Sequence, residues 1–170
     1  KQEFVIKNAK KGMKVRPHFT YYGFRYVKVE GLTQDEAGLV VAQALQSKMD
    51  ETFEFSSSNT KLNQLISNIR WSQKDNFLSI PTDCPQRDER MGWTGDLTVF
   101  SNTACYNMET RAFFAHFMEN LKLEQGLLDG ATPFFAPVPK VDDAQNPFLS
   151  NAGAAVWGDA ATFIPYNLYR

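Results

Sequence analysis

The sequence contains little that would cross-link the chain or carry it into a membrane. Its two cysteines, Cys84 and Cys105, are too few for a disulfide framework, and we interpret them as free thiols. No apolar run approaches the roughly 18 residues that a membrane span needs. No basic stretch leads into an apolar one at the start, so no signal peptide is visible and the compartment stays open.

An excess of one charge is also missing. The 170 residues carry 18 basic and 19 acidic side chains, a formal net charge of −1. Binding to nucleic acid requires a basic patch or excess, so we expect no nucleic-acid partner. The two histidines, His18 and His116, have no partner at the spacing of a metal site. We therefore predict no metal site.

Residues 1–55 are rich in aromatic and β-branched side chains. From Phe24 to Val29 these alternate with polar ones, and Gly31 ends the run. Leu39–Leu45 and Thr52–Ser56 are two further short candidates. The pattern predicts two or three antiparallel strands, the end of a β-sandwich that needs partner strands from elsewhere.

The sequence becomes helical in character after residue 56, which predicts a β-sandwich segment at 1–55 and an all-α segment at 56–170. We expect helices at 60–76 after an Asn59 or Ser58 cap, from Asp96 to about Asn107, at 109–125, and from Trp157 through Leu168. Pro165 conflicts with the last of these. Between the last two helices, residues 126–155 predict a long loop with four prolines, of a length often found at functional sites.

The stretch from Asp83 to Asp96 is the densest chemical feature. It reads Asp-Cys-Pro-Gln-Arg-Asp-Glu-Arg-Met-Gly-Trp-Thr-Gly-Asp. Pro85, Gly92 and Gly95 are turn formers, which argues against a continuous helix and favours a shaped loop, the kind of segment on which sites are built. A structural network of ion pairs is the alternative interpretation of the same charges.

Paired carboxylates near an aromatic ring are what glycoside hydrolysis requires, because one acid donates a proton while a second carboxylate activates water or attacks the sugar. Burial beside Trp93 would help Glu89 to keep a proton, whereas contact with Arg87 or Arg90 would oppose this. Asp83 and Asp96 could accept hydrogen bonds from sugar hydroxyls. The spacing of the acidic residues does not fit a calcium loop.

The same stretch resembles, almost residue for residue, the catalytic motif of bacterial α-L-rhamnosidases (glycoside hydrolase family 78). Further segments are also similar to that family: Phe19-Thr-Tyr-Tyr-Gly-Phe-Arg-Tyr-Val, Asn68-Ile-Arg-Trp-Ser-Gln, Asn76-Phe-Leu-Ser-Ile-Pro-Thr and Val156-Trp-Gly-Asp-Ala. The resemblance as a whole covers roughly residues 17–169. Met91 stands where leucine is commoner in the family, a change that conserves volume.

The resemblance implies an (α/α)₆ catalytic barrel and an inverting hydrolase that removes terminal α-L-rhamnose from a glycoside or oligosaccharide without a cofactor. It implies that Glu89 is the general acid. It implies a sugar pocket shaped by Asp83, Arg87, Trp93 and Asp96, with Trp157 in the pocket wall.

The family's general base is a glutamate on a later barrel segment, which this sequence does not reach. We therefore expect a piece of a longer enzyme, inactive or nearly so by itself. Two alternatives stay open: a non-catalytic carbohydrate-binding module, and a structural fragment. A cut barrel would expose the apolar faces of residues 62–69 and 114–121 and self-associate through them.

Overall fold

The computed structural model describes residues 3–8, 10–139 and 152–170. Within these ranges there are five helices: α1 (Gln34–Ala37), α2 (Thr60–Asn76), α3 (Thr94–Asn107), α4 (Arg111–Leu127) and α5 (Ala160–Tyr169). Two short strands, β1 (Phe77–Leu78) and β2 (Ile80–Pro81), form an antiparallel pair. Within the described ranges, no helix combines the length and the apolar character that crossing a bilayer would take.

The helices predicted after residue 56 are confirmed. Helix α2 has the predicted bounds, and the Asn59 side chain caps it by accepting a hydrogen bond from the Lys61 amide at 3.0 Å. Helices α3 and α4 begin and end within two residues of their predicted limits. Helix α5 begins three residues after Trp157 and runs across Pro165 to Tyr169.

The core lies where α3, α4 and α5 meet the β1–β2 pair. Phe114, Phe117 and Leu121 of α4 are fully buried, as is Ile164 of α5. Phe77 of β1 stacks on Phe113, with ring centroids 4.7 Å apart. The main cluster comprises Phe77, Leu97, Ala104, Phe113, Phe114, Phe117, Leu121, Ala136, Ala160 and Ile164.

Because α4 is buried against this cluster, one of the two apolar faces predicted to be exposed is not. The apolar residues of that face, Phe114, Phe117 and Leu121, are buried, and the prediction that they form an open face was wrong. On α2 the prediction holds better, since Leu62 is 44% exposed and Leu65 51% exposed. Self-association through that face stays a prediction.

The predicted fold class, β-sandwich strands followed by an all-α segment, was wrong for the described part of the chain. Residues 3–8 and 10–55 contain the short helix α1 and one bridge residue, Glu51 opposite Met108, but no strand. A strand needs a neighbour to accept and donate its backbone hydrogen bonds, and alternation alone cannot supply one. Phe24 and Tyr26 are accordingly exposed, and the described chain is helical.

Residues 47–52 attach the N-terminal segment to the helices. The Ser47 amide donates to the carbonyl of Phe77 at 2.8 Å, and the Thr52 amide donates to that of Asn107 at 3.0 Å. The long loop predicted at 126–155 is described only up to residue 139 and from residue 152; its intermediate residues lie outside the described ranges. The division of the chain at residue 56 stays a prediction.

Candidate functional site

The stretch 83–96 leaves β2 and enters α3 as a closed loop, which we call the acidic loop. Its ends are tied together at Asp83 and Met91. The Met91 amide donates to Asp83 Oδ1 at 3.1 Å, and the Asp83 amide donates to the Met91 carbonyl at 3.3 Å. The Asp83 side chain is only 8% exposed, so this buried carboxylate fixes the base of the loop.

Arg87 reaches back across the loop to two carboxylates. Its Nε and Nη2 lie 2.8 Å and 2.7 Å from Glu89 Oε2, and Nη2 lies 3.7 Å from Asp83 Oδ2. The charge on Glu89, with a smaller contribution from Cys84, raises the pKa of Arg87. The sequence suggested two opposing influences on Glu89, burial beside Trp93 and contact with an arginine. The contact with Arg87 is present.

Trp93 follows the loop and pairs with a second segment of the chain. It forms an antiparallel bridge with Phe135, and the next residue, Thr94, donates through its amide to the Phe134 carbonyl at 2.9 Å. The Trp93 ring meets the Phe135 ring edge-on at 5.0 Å and lies 6.5 Å from that of Phe134.

Trp157 lies on the same aromatic group, which we call the aromatic wall (Trp93, Phe134, Phe135 and Trp157). Its ring meets Phe134 edge-on at 5.7 Å and rests on the backbone of Gly95. A Cβ at Gly95 would lie 2.8 Å from the ring, so only glycine permits this approach. The indole nitrogen of Trp157 is buried without a hydrogen-bond partner among the described residues.

Asp96 lies in the first turn of α3, where the helix dipole favours a negative charge. Burial nevertheless raises the pKa of Asp96, against the lowering effect of a backbone hydrogen bond, and the charges of Asp83 and Glu89 raise it further. The three carboxylates are thus electrostatically coupled, which is the kind of environment that shifts proton affinity at functional sites.

All six residues predicted for the site are brought to one region. Asp83, Arg87 and Glu89 are in direct contact, Asp96 lies within the field of both carboxylates, and the two tryptophans flank Phe134. The other two charged residues of the loop differ, because Asp88 is fully exposed and Arg90 turns towards the N-terminal segment.

Donor atoms of Asp83, Cys84 and Glu89 lie within 4.8 Å of one another and could in principle ligate a metal. The guanidinium of Arg87 contacts two of the three and supplies positive charge at the same place. The sequence predicted no metal here, and that stays a prediction.

Two members of the aromatic wall, Phe134 and Phe135, were missed in the sequence. They lie in the predicted long loop, about 40 residues after Trp93, and no periodic pattern connects them with it. The one available signal was the adjacent pair of aromatic residues between Pro133 and Pro137, since aromatic side chains in a loop are costly unless they are covered or bind a ligand.

A carboxylate loop beside an aromatic wall, on a helical scaffold, is typical of a carbohydrate-active protein. Comparison with known proteins identifies the family. Residues 50–170 match the bacterial α-L-rhamnosidase six-hairpin glycosidase domain, and residues 1–49 match the bacterial α-L-rhamnosidase concanavalin-like domain. The chain belongs to the bacterial α-L-rhamnosidase family, a family of glycosidases, as its motif predicted.

Individual relatives agree with this assignment. The chain is 43% identical over 155 residues to an α-L-rhamnosidase of Streptomyces avermitilis, covering 91% of this chain and 14% of that protein. An α-L-rhamnosidase of Formosa agariphila is 42% identical over 156 residues, covering 90% and 16%. The crystal structure of the S. avermitilis α-L-rhamnosidase complexed with L-rhamnose superposes with a TM-score of 0.64 at 44% identity, covering 73% of this chain and 11% of that one. The chain thus spans about a seventh of the length of these curated relatives.

Proposed function

We propose that the complete protein is an inverting glycosidase that releases terminal α-L-rhamnose, with Glu89 as its general acid. The observation that supports the proposal is the arrangement of the acidic loop, in which a carboxylate oxygen of Glu89 lies within 4.8 Å of one of Asp83, and Glu89 lies within the electrostatic field of Asp96. The related S. avermitilis enzyme, which is 44% identical in the superposed part, binds L-rhamnose.

In the proposed reaction, the protonated Glu89 carboxyl donates its proton to the glycosidic oxygen while the bond from that oxygen to the anomeric carbon breaks. Water attacks the anomeric carbon from the opposite face and loses a proton to a second carboxylate, so the product has inverted configuration. Asp83, Arg87 and Asp96 hold the sugar hydroxyls, and the two tryptophans of the aromatic wall offer apolar faces to its ring.

The second carboxylate must lie roughly 6.5–9.5 Å from the acid, with room for water between them. Asp83 does not suit that role, because it is buried, bonded to the Met91 amide and next to Arg87. We propose that the base comes from a part of the complete protein outside these 170 residues. The 170 residues alone are then inactive or nearly so.

Replacing Glu89 by glutamine tests the assignment in the complete protein. The substitution Glu89→Gln should lower kcat by about 10²–10⁴ for a rhamnoside with a sugar or alkyl leaving group, which is the usual effect of losing a general acid. A dinitrophenyl rhamnoside, whose leaving group needs little protonation, should lose much less. Glu119→Gln is the matched control, since Glu119 is an exposed glutamate on α4.

Three results would contradict the proposal. Unchanged turnover of the Glu89→Gln variant would remove Glu89 from the mechanism. Proton NMR of the first product should show β-L-rhamnose, and initial release of the α-anomer would make the enzyme a retaining one. Millimolar rhamnose binding without any turnover by the complete protein would instead support a carbohydrate-binding module.

A further inference from the structure

The N-terminal segment touches the acidic loop at one short stretch. Among the described residues from 3 to 46, all are exposed except three partly buried ones, Thr20, Tyr21 and Gly23. Two of these, Tyr21 and Gly23, contact the acidic loop directly. The segment is therefore covered where it meets the loop and exposed elsewhere.

The first contact joins Tyr21 to Arg90. Nη1 of Arg90 donates to the Tyr21 carbonyl at 2.8 Å, and the guanidinium carbon lies 4.6 Å from the centre of the Tyr21 ring. A cation at that distance from an aromatic face is attracted to it. Arg90 has a φ of +47°, a left-handed conformation that non-glycine residues adopt only where the surroundings hold them.

The second contact joins Gly23 to Pro85 and Gln86. The Gly23 amide donates to the Pro85 carbonyl at 3.2 Å. A Cβ at Gly23 would lie 2.9 Å from the Cα of Gln86 and 3.0 Å from the carbonyl carbon of Pro85. These are backbone atoms, so a side chain at position 23 could be accommodated only if the loop moved.

The two contacts hold the acidic loop on either side of its reactive part. Pro85 and Arg90 enclose residues 86–89, which include Arg87 and Glu89. The hydrogen bonds between Asp83 and Met91 close the base of the loop but do not fix the position of residues 86–89, which depends on other contacts. We infer that Tyr21 and Gly23 are positioning residues, which set the location of Glu89 by fixing Pro85, Gln86 and Arg90.

The inference rests on the proposed function, because it gives these residues a role in presenting the general acid. A carboxyl group that is displaced from the glycosidic oxygen transfers its proton less well, while the sugar pocket formed by the other residues is kept. The expected defect is therefore a selective loss of acid catalysis, and a small misplacement can cost about 10²-fold in rate.

The experiment measures kcat in the complete protein for rhamnosides whose leaving groups range from alkyl alcohols to dinitrophenol. Tyr21→Ala and Gly23→Ala should each lower kcat by about 10–100-fold with the poorest leaving group and by less than about threefold with the best. Both Tyr21 variants keep the backbone carbonyl that accepts from Arg90, and only Tyr21→Ala removes the ring. Tyr21→Phe should therefore retain the leaving-group dependence of the original enzyme.

Gly38→Ala is the matched control for Gly23→Ala. Its Cβ would meet just one atom, the Asp35 carbonyl oxygen, at an ordinary 3.5 Å. Tyr26→Ala serves in the same way for Tyr21→Ala, since Tyr26 lies on the same segment and is 91% exposed. Both controls should leave the ratio of kcat values between substrates unchanged.

That ratio does not depend on how much of the protein is folded, so partial misfolding cannot imitate the expected result. If Gly23→Ala yields no folded protein, Tyr21→Ala decides the matter, because it removes atoms and adds none. An equal loss with every leaving group, or no loss, would overturn the inference while Glu89→Gln still shows its selective defect. If Glu89→Gln shows no defect either, the proposed function itself is wrong and the inference falls with it.

Discussion

Arg87 and Glu89 are joined through two nitrogens of one guanidinium and a single carboxylate oxygen, at 2.8 Å from Nε and 2.7 Å from Nη2. The arginine is 62% exposed and the glutamate 32% exposed. Exposed ion pairs contribute little to the free energy of unfolding, because water screens them and both side chains lose conformational freedom. The pair therefore matters chiefly for where the Glu89 carboxyl points.

A double-mutant cycle should show that coupling. In the complete protein, Arg87→Met should lower kcat/KM for an alkyl rhamnoside by about tenfold or more, while changing the melting temperature little. In the Glu89→Gln background the same substitution should have a clearly smaller effect, because the carboxylate that Arg87 orients is gone. Arg111→Met, at an exposed arginine at the start of α4, is the control. Fully additive losses would mean that the two residues act independently.

Asp96 predicts a pH dependence of stability with a definite sign. Its pKa is raised in the folded protein, with burial as the largest cause, so the folded state holds this proton more firmly than the unfolded state does. Below its ordinary pKa of 3.8, Asp96 is protonated in both the folded and the unfolded state and does not oppose folding. As the pH rises through the higher pKa of the folded state, the protein loses stability.

The substitution Asp96→Asn should remove this pH-dependent loss of stability. The variant's melting temperature should rise relative to the original protein as the pH increases from about 4 towards neutrality, and should then stay at a constant offset. Melting curves over this range provide the measurement, with Asp88→Asn, at a fully exposed position, as the baseline. An offset that is largest at acidic pH and shrinks towards neutrality would show that burial is not what governs Asp96.

Gly95 predicts a steric coupling between α3 and Trp157. In Gly95→Ala the new Cβ would lie 2.8–2.9 Å from three atoms of the indole ring, so the ring has to move. We expect the free energy of unfolding to fall by about 1–3 kcal/mol. In the proposed function Trp157 lines the sugar pocket, so KM for rhamnosides should also rise.

Gly126→Ala is the control, since its Cβ would meet nothing within 4 Å near the end of α4. It should be neutral or more stable by up to about 1 kcal/mol. Urea unfolding and rhamnoside kinetics on both variants make the comparison. A Gly95→Ala variant that behaves like the control would show that Trp157 is not held against α3.

The helices could be predicted because their information is local. Asn59 caps α2 through a bond that spans two residues, and Phe114, Phe117 and Leu121 of α4 recur at helical spacing. The same local signal could not tell which face would be buried. On α2 the apolar residues Leu62 and Leu65 are about half exposed, whereas the polar Gln73 is 1% exposed.

The residues of the candidate site could be proposed from the sequence, and their roles stay predictions, whereas the geometry of the site could not be predicted. The composition of the acidic loop indicated a candidate site, and the resemblance to a family gave its residues roles. The contacts of Trp93 with Phe135 and of Arg90 with Tyr21 join residues separated by 42 and 69 positions, and no pattern in the sequence encodes such pairs. The prediction of strands was wrong for the same reason, because a strand needs a hydrogen-bonded neighbour that alternation in the sequence does not identify.

Gln73 predicts a buried amide network that fastens α2 to α3. Its Oε1 accepts from Asn107 Nδ2 at 3.0 Å, its Nε2 donates to the Ala104 carbonyl at 3.2 Å, and both side chains are buried. Replacing Gln73 by methionine keeps the volume but leaves the Asn107 amide group and the Ala104 carbonyl without this partner. We expect a loss of about 1–3 kcal/mol, the desolvation cost of an unsatisfied buried polar group.

Gln64→Met, on the exposed face of the same helix, should change stability by less than about 0.5 kcal/mol. The double variant Gln73→Met with Asn107→Leu should recover part of the loss, because it removes the unpaired Asn107 amide, while the Ala104 carbonyl still accepts from the Met108 amide. Urea unfolding followed by tryptophan fluorescence gives the three values. If Gln73→Met costs no more than Gln64→Met, the hydrogen bonds to Asn107 and Ala104 do not contribute to the α2–α3 packing.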